Sequence, residues 1–232
     1  MPKIPALKRI GPHNIDVISV IIGNMLRDGW GENRSNNTRF NIHMGSPNVE
    51  YLMWLHKYFY ERGYCSSIKP KLKKNINKGN IIYFSYKFRT WTFSNLNCIY
   101  HTFYNSDKKK IIPFNIEELL TPLSLAIWIK GTHANIVRVG RVDGGVHPSG
   151  MILSTWRNTD PSGPCCEYNF NINEHVLLQT ALKNKFNIKI NINSKKEGLI
   201  LYIPKNQLPQ LSKLVKQYMI PNMYYKLNGY LI

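Results

Sequence analysis

Apolar positions recur at helical spacing from Ile15 to Arg27, and the period predicts one face carrying Ile15, Ile18, Ile22, Met25 and Leu26. Gly23 interrupts that face. An interior glycine costs a helix ~1 kcal/mol against alanine. Its use here would be close backbone approach to a second helix. Gly29 and Gly31 end the element. Phe40 and Ile42 then alternate with polar neighbours, which predicts a strand over Arg39 to His43. Ser46-Pro47-Asn48-Val49-Glu50 reads as a helix start, with Ser46 as N-cap and Pro47 in the first position. That helix runs through Tyr51, Leu52, Leu55, Tyr58 and Phe59 and stops at Gly63. Ile68 to Lys74 and Ile81 to Arg89 read as strands around a Lys/Asn/Gly turn. A third helix is expected from Ser94 to Tyr104, then a basic connector from Asp107 to Pro113.

The order then repeats. Ile116 to Lys130 reads as one apolar helix, and Asn135 to Val142 and Met151 to Trp156 as strands. A loop with Pro161, Gly163 and Pro164 follows; between Trp156 and Glu167 it looks like an insertion. Asn173 to Lys185 reads as a helix with Val176, Leu177, Ala181 and Leu182 inward. Ile188 to Ile192 and Leu199 to Ile203 are strand-like, and Gln207 to Met219 is a last helix. The final helices align as SNLNCIYHTFY against NQLPQLSKLVKQYM. The pattern predicts an α+β protein made of two repeats, residues 14–106 and 115–232. Residues 1–13 would be an N-terminal extension and 107–114 a basic linker.

Charge narrows the function. The chain holds 31 Lys and Arg against 13 Asp and Glu, a net +18. Such a surface calls for an anionic partner, and nucleic acid is the commonest. No run approaches the ~18 apolar residues of a membrane helix, and Met1 to Gly11 lacks the apolar core of a secretory signal. Cys65, Cys98, Cys165 and Cys166 form no C-x-x-C pair, so free thiols in a reduced compartment are expected. Richness in Asn, Ile, Lys and Tyr suggests an A/T-rich genome such as a mitochondrion's, where a locally made protein needs no presequence.

The repeated apolar helices carry the most informative comparison. Ile21 to Gly29 reads IIGNMLRDG, and Leu125 to His133 reads LAIWIKGTH. With the leader LTPLSLAIW and the tail KLVKQYMIPNMYYKL, the pair resembles the LAGLIDADG homing endonuclease and maturase family in its single-chain, two-repeat form, over roughly residues 14 to 227. The resemblance implies two αββαββα units about a pseudo-two-fold axis, with the motif helices packed on the axis and saddle-shaped antiparallel sheets covering a duplex. Gly23 suits the axial contact. Ile127 is bulkier than the family's usual small residue, so a displaced contact is expected. The eighth motif residue normally supplies a metal-binding carboxylate.

Asp28 supplies that acid in the first motif; Thr132 stands at the same place in the second. Mg²⁺ prefers oxygen ligands, usually one or two carboxylates plus waters. Thr132 offers a neutral hydroxyl, His133 a nitrogen, Gly131 nothing, and Lys130 adds a positive charge. Asp143 follows in a VDGG turn. The expectation is a protein that binds without double-strand cleavage. It would need no cofactor for binding, and Mg²⁺ only if nuclease activity remains through Asp28.

Candidate nucleic-acid-binding cations on strand-like segments are Arg34, Arg39, Lys69, Lys71, Lys73, Lys87 and Arg89 in the first half. In the second they are Arg138, Arg141, Arg157, Lys189, Lys195, Lys196 and Lys205. Tyr83, Tyr86, Phe88 and Trp91 interleave with the first set. On alternating strands one face packs on helices and the other presents cations to phosphates and bases. Three functions follow: a binder of structured RNA, such as a group I intron or organellar ribosomal RNA; an Mg²⁺-dependent homing endonuclease or nickase on duplex DNA; or a structural subunit of a larger organellar assembly whose basic surface meets acidic protein. The internal repeat implies a chain that is monomeric outside such complexes.

Overall fold

The computed structural model describes residues 12–76, 80–131, 136–140, 146–153, 170–195 and 198–227, with backbone alone at 136–140, 146–149 and 195. Helix α1 (Ile15–Met25) begins at Asn14, whose side chain accepts from the Asp16 N–H at 2.7 Å. It is rich in Ile and Val, poor helix formers alone. Burial makes it helical: Val17 and Val20 to Met25 are all withdrawn from water. Ile15 is not part of the buried face and is 64 % exposed, because the core surrounds only the later turns. A strand the periodicity did not predict follows, β1 (Trp30–Arg34), then β2 (Asn37–Gly45).

Ser46 does not cap the next helix. Ser46–Asn48 form a 3-10 turn without a side-chain cap, and α2 (Val49–Glu61) starts after it. Gly63 closes that helix at φ +76°, where a side chain would be strained. β3 (Lys73–Ile76) and β4 (Ile82–Arg89) complete the first sheet. A 3-10 turn, Ser94–Leu96, leads into α3 (Asn97–Phe103).

The expected single helix from Ile116 to Lys130 is two helices, α4 (Ile116–Leu119) and α5 (Pro122–Gly131). Leu120 is extended (ψ 134°), and Pro122 has no N–H to continue a helix. Thr121 and Ser124 cap α5 reciprocally: the Thr121 N–H donates to Ser124 Oγ at 2.8 Å, and the Ser124 N–H to Thr121 Oγ1 at 3.0 Å. β5 (Ile136–Gly140) and β6 (Val146–Leu153) follow. α6 (Ile172–Phe186) starts in a capping box between Asn171 and Glu174. That start sets its rotation, so His175, Leu178, Ala181, Leu182 and Phe186 face inward while Val176 is 44 % exposed and Leu177 half-buried. β7 (Asn191–Lys195) and β8 (Gly198–Pro204) precede a 3-10 turn, Lys205–Gln207, and α7 (Leu208–Val215).

The sheets have the same order, β1-β2-β4-β3 and β5-β6-β8-β7, with every described pairing antiparallel. Phe40, Ile42 and Phe88 on one sheet, and Met151, Leu153, Leu201 and Ile203 on the other, are buried with the helices. The core is continuous across both halves, and Trp128 on α5 is its largest fully buried side chain. Cys65 and Cys98 are free thiols. Among the described residues no helix is long and apolar enough to cross a membrane.

Candidate nucleic-acid interface and the foot of the motif helices

Alternation sorts the first sheet into two faces. Trp30, Glu32 and Arg34 of β1 lie opposite Asn41, Arg39 and Asn37 of β2; Arg89 and Lys87 of β4 lie opposite Asn41 and His43. These residues share the face turned away from Phe40 and Ile42. Lys73 of β3 lies across from Ser85 on that face. The row is partly neutralised. Glu32 accepts from Arg39 through Nε at 3.0 Å and Nη2 at 2.5 Å, and from Asn41 Nδ2 at 3.0 Å. Burial pushes the Glu32 carboxyl up, but the hydrogen bond and charge of Arg39, with Arg34 and Asn41, hold it below its usual value. Arg39 is therefore tied within the sheet. Arg34 lies 3.6 Å from the same carboxylate, with its side chain 77 % exposed. Lys87 Nζ stands 4.3 Å over the Trp30 ring. Arg89 is exposed.

Other candidate cations sit elsewhere than expected. Lys69 and Lys71 are exposed but precede β3 in irregular chain. Lys189 precedes β7, where its N–H donates to Gln207 Oε1 at 2.9 Å, and Lys205 opens a 3-10 turn. Strand pairing starts later than the apolar pattern because Ile188 and Ile190 go into the core before the ladder begins. Arg138 and Lys195 lie on β5 and β7, described in backbone alone. Thr132, His133, Arg141, Asp143, Arg157, Lys196 and the 156–167 loop lie outside the described residues.

The motif helices do meet. A Cβ added to Gly23 would lie 2.5 Å from the Ser124 carbonyl oxygen and 2.6 Å from Ile127 Cβ. The contact is direct, not displaced: the flat face at Gly23 admits the bulky Ile127. Below it, Gly23, Asn24, Arg27, Asp28, Gly29, Ile42, His43, Met44, Ile127 and Gly131 line a small cleft. Its floor is the C-terminal end of α1, where the Gly29 N–H donates to Asn24 O at 3.0 Å. A Cβ on Gly29 would strike that carbonyl at 2.8 Å.

Arg27 dominates this cleft. Its side chain is 4 % exposed, and Nε lies 3.1 Å from Asp28 Oδ2 without hydrogen-bond alignment. A Cβ built on Gly131 would lie 3.4 Å from Arg27 Cδ, so the arginine reaches across the axis to the foot of α5. Burial lowers the guanidinium's proton affinity, against the pull of Asp28 and Tyr51. Asp28 is the one carboxylate among the described lining residues, and no described group of three or more His, Cys, Asp and Glu converges anywhere. The described donors do not fit a divalent cation. One acid is present, and it already faces a cation.

Two lysines that the sequence reading did not single out finish the helix ends. Lys110 Nζ donates to Arg27 O at 2.6 Å and Gly29 O at 2.9 Å below α1. Lys226 Nζ donates to Lys130 O at 2.6 Å below α5. Lys110 comes from the linker after the first repeat and Lys226 from the tail of the second, and each answers carbonyls that a helix end leaves open. Lys130 does not line the cleft. It turns inward, donates to Tyr218 O at 2.8 Å and lies 4.0 Å over the Trp54 ring. Burial pushes Lys130 and Lys226 down to about 7.

A family profile described as LAGLIDADG DNA endonuclease matches residues 18–211. The chain belongs to that family. It is 34 % identical over 232 aligned residues to the cytochrome b mRNA maturase bI2 of Saccharomyces cerevisiae, covering 96 % of this chain. It spans about half, 49 %, of that relative's length. The same-named maturase of Debaryomyces hansenii is 31 % identical over 95 % of this chain and 76 % of its own. The intron-encoded endonuclease ai4 of Dictyostelium discoideum is 31 % identical over 75 % of this chain and 98 % of its own. Among solved structures, the homing endonuclease I-WcaI bound to its DNA recognition sequence superposes with TM-score 0.74 at 22 % identity, over 95 % of this chain and 89 % of that one. The LAGLIDADG fold read from the repeated helices is thus the fold found.

Proposed function

We propose that this LAGLIDADG protein binds nucleic acid as an intron maturase does, holding structured RNA, and that it does not cut both strands of DNA. One observation carries the reading. The acid of the first motif, Asp28, is paired with the buried Arg27, and the second motif has Thr132 where its acid would stand. A two-carboxylate metal site is therefore missing an acid on one side and already faces a cation on the other. The binding surface is better preserved, with Lys87, Arg89 and Lys73 on one face of the first sheet and a net charge of +18. The names of the two fungal relatives, cytochrome b mRNA maturases, support RNA as the ligand.

The test is filter binding of the full chain to intron RNA and duplex DNA across a salt series. Six to ten phosphate contacts would lower affinity about 10³–10⁵-fold between 50 and 200 mM salt. Salt-insensitive or absent binding to both ligands ends the reading. The second reading, an Mg²⁺-dependent endonuclease or nickase, is favoured by the presence of Asp28 and by the Dictyostelium relative's name. Cutting or nicking of an intronless target with Mg²⁺, lost in Asp28→Asn, would establish it.

A further inference from the structure

We propose that the overhanging end of the first sheet is a protein-docking surface, which takes an acidic amphipathic helix of a partner protein on the face of β3 and β4 turned away from the cation row. Side chains alternate along β4. Phe88 points to the helices, where its ring lies 5.4 Å from His56 and 6.0 Å from Phe59 of α2. Tyr86, next on that face, is half-buried and still packs on the core. Phe84 and Ile82 continue the same face and are 42 % and 49 % exposed. Ile76 of β3, directly opposite Ile82, is 60 % exposed. The helix layer therefore stops while the apolar face of the sheet goes on. Scattered apolar side chains on a surface are ordinary, but contiguous ones mark a contact. Register makes these three contiguous, and their exposure shows no described element lying over them.

Size and charge select the occupant. Neighbouring strands lie about 4.8 Å apart, so a strand added at the edge of β3 would meet Ile76 and leave Phe84 and Ile82 one strand away. An α-helix with its side chains is about 10 Å across and spans both strands at once. A helix there would extend the layer that α2 begins. Lys74, opposite Phe84 on the same face, stands exposed among the apolar residues. Lys69 and Lys71, on the chain leading into β3, are exposed too. The complement is an apolar stripe bordered by Asp or Glu. A second copy of this chain would bring +18 against +18. Nucleic acid answers the lysines but gives Ile76 and Ile82 no apolar partner. Lys87 and Arg89 face the other way on β4, so a ligand on their face leaves this surface open.

The experiment measures anisotropy with the full chain and two fluorescein-labelled helical peptides of Leu, Ala and Glu. One carries its leucines at i, i+3, i+4 and i+7; the other has the same composition with the stripe scrambled. The striped peptide is expected to bind about tenfold tighter. Ile82→Asn combined with Phe84→Asn is expected to bring striped binding down to the scrambled level and to leave RNA affinity unchanged. Both side chains are exposed, so the fold should survive, which a thermal melt checks. Lys74→Glu is expected to weaken striped binding several-fold, and decides the matter alone if the double variant does not fold. Equal binding of the two peptides, or undiminished striped binding in either folded variant, overturns the proposal. So does a wild-type dimer in sedimentation that the double variant abolishes, which gives the surface to a second copy. A loss of RNA affinity in the folded double variant also overturns it, and gives the surface to nucleic acid.

Discussion

Gly23 on α1 and Ile127 on α5 are fitted to each other, with no room on the glycine for a methyl group. Gly23→Ala should destabilise by about 1–3 kcal/mol through overpacking. For a chain of this size that lowers Tm by about 2–4 °C per kcal/mol. Adding Ile127→Ala should recover only part of the loss, because the Ser124 carbonyl at 2.5 Å and the Cβ that alanine keeps at 2.6 Å still meet the new methyl group. Full additivity in thermal melts would contradict the contact.

Lys110 should matter to stability more than its place in a polar connector suggests. Lys110→Met removes the donor to Arg27 O and Gly29 O. Each carbonyl left bare at a buried helix end costs about 1–3 kcal/mol. Urea unfolding should show a lower midpoint with the slope unchanged. Lys226→Met should do the same at α5.

Stability should rise with pH above neutrality. Lys130 and Lys226 are pushed down to about 7 in the fold, against about 10.4 when unfolded. Between those values the unfolded chain binds more protons than the folded one, so raising pH favours folding. Below about 7 both states hold the protons, and the cost of burying the charges is fully present. Melting curves between pH 7 and 10 should climb for wild type and climb less for Lys130→Met. Equal slopes would mean that Lys130 stays charged in the fold.

Sheet cations should differ in weight. Arg89→Ala should cut the salt slope of RNA binding by about 1. Arg39→Ala should cut it less, since Glu32 already holds that guanidinium. Glu32→Gln should tighten binding by freeing it. An unchanged slope in both variants would place the nucleic acid off this face, and the reverse ranking would mean that Glu32 does not hold Arg39 back.

The features legible in the sequence are those set by local periodicity. The apolar runs at Val20 to Met25 and Leu125 to Ile129 revealed both axial helices and, by their likeness, the fold. Features set by distant neighbours were not legible. WGENR has no apolar alternation; it becomes β1 because β2 offers it a ladder. Lys110 looked like one more surface charge in a basic connector, and only the return of that connector beneath α1 buries it. Arg27 lies inside the motif itself, but its reach to Gly131 depends on how the helices cross. One signal was available for the lysines: Lys110 and Lys226 each adjoin apolar residues, Ile111-Ile112 and Leu227.

The single core shared by the two halves also governs the order of events during synthesis. α1 is clad in apolar side chains, and α5 covers part of it. A nascent first half emerging from the ribosome therefore carries a finished sheet but an uncovered helix until Gly131 has cleared the exit tunnel. That interval is a window for misassembly or chaperone capture. A chain arrested before residue 131 should be protease-sensitive in α1 while its first sheet is already protected.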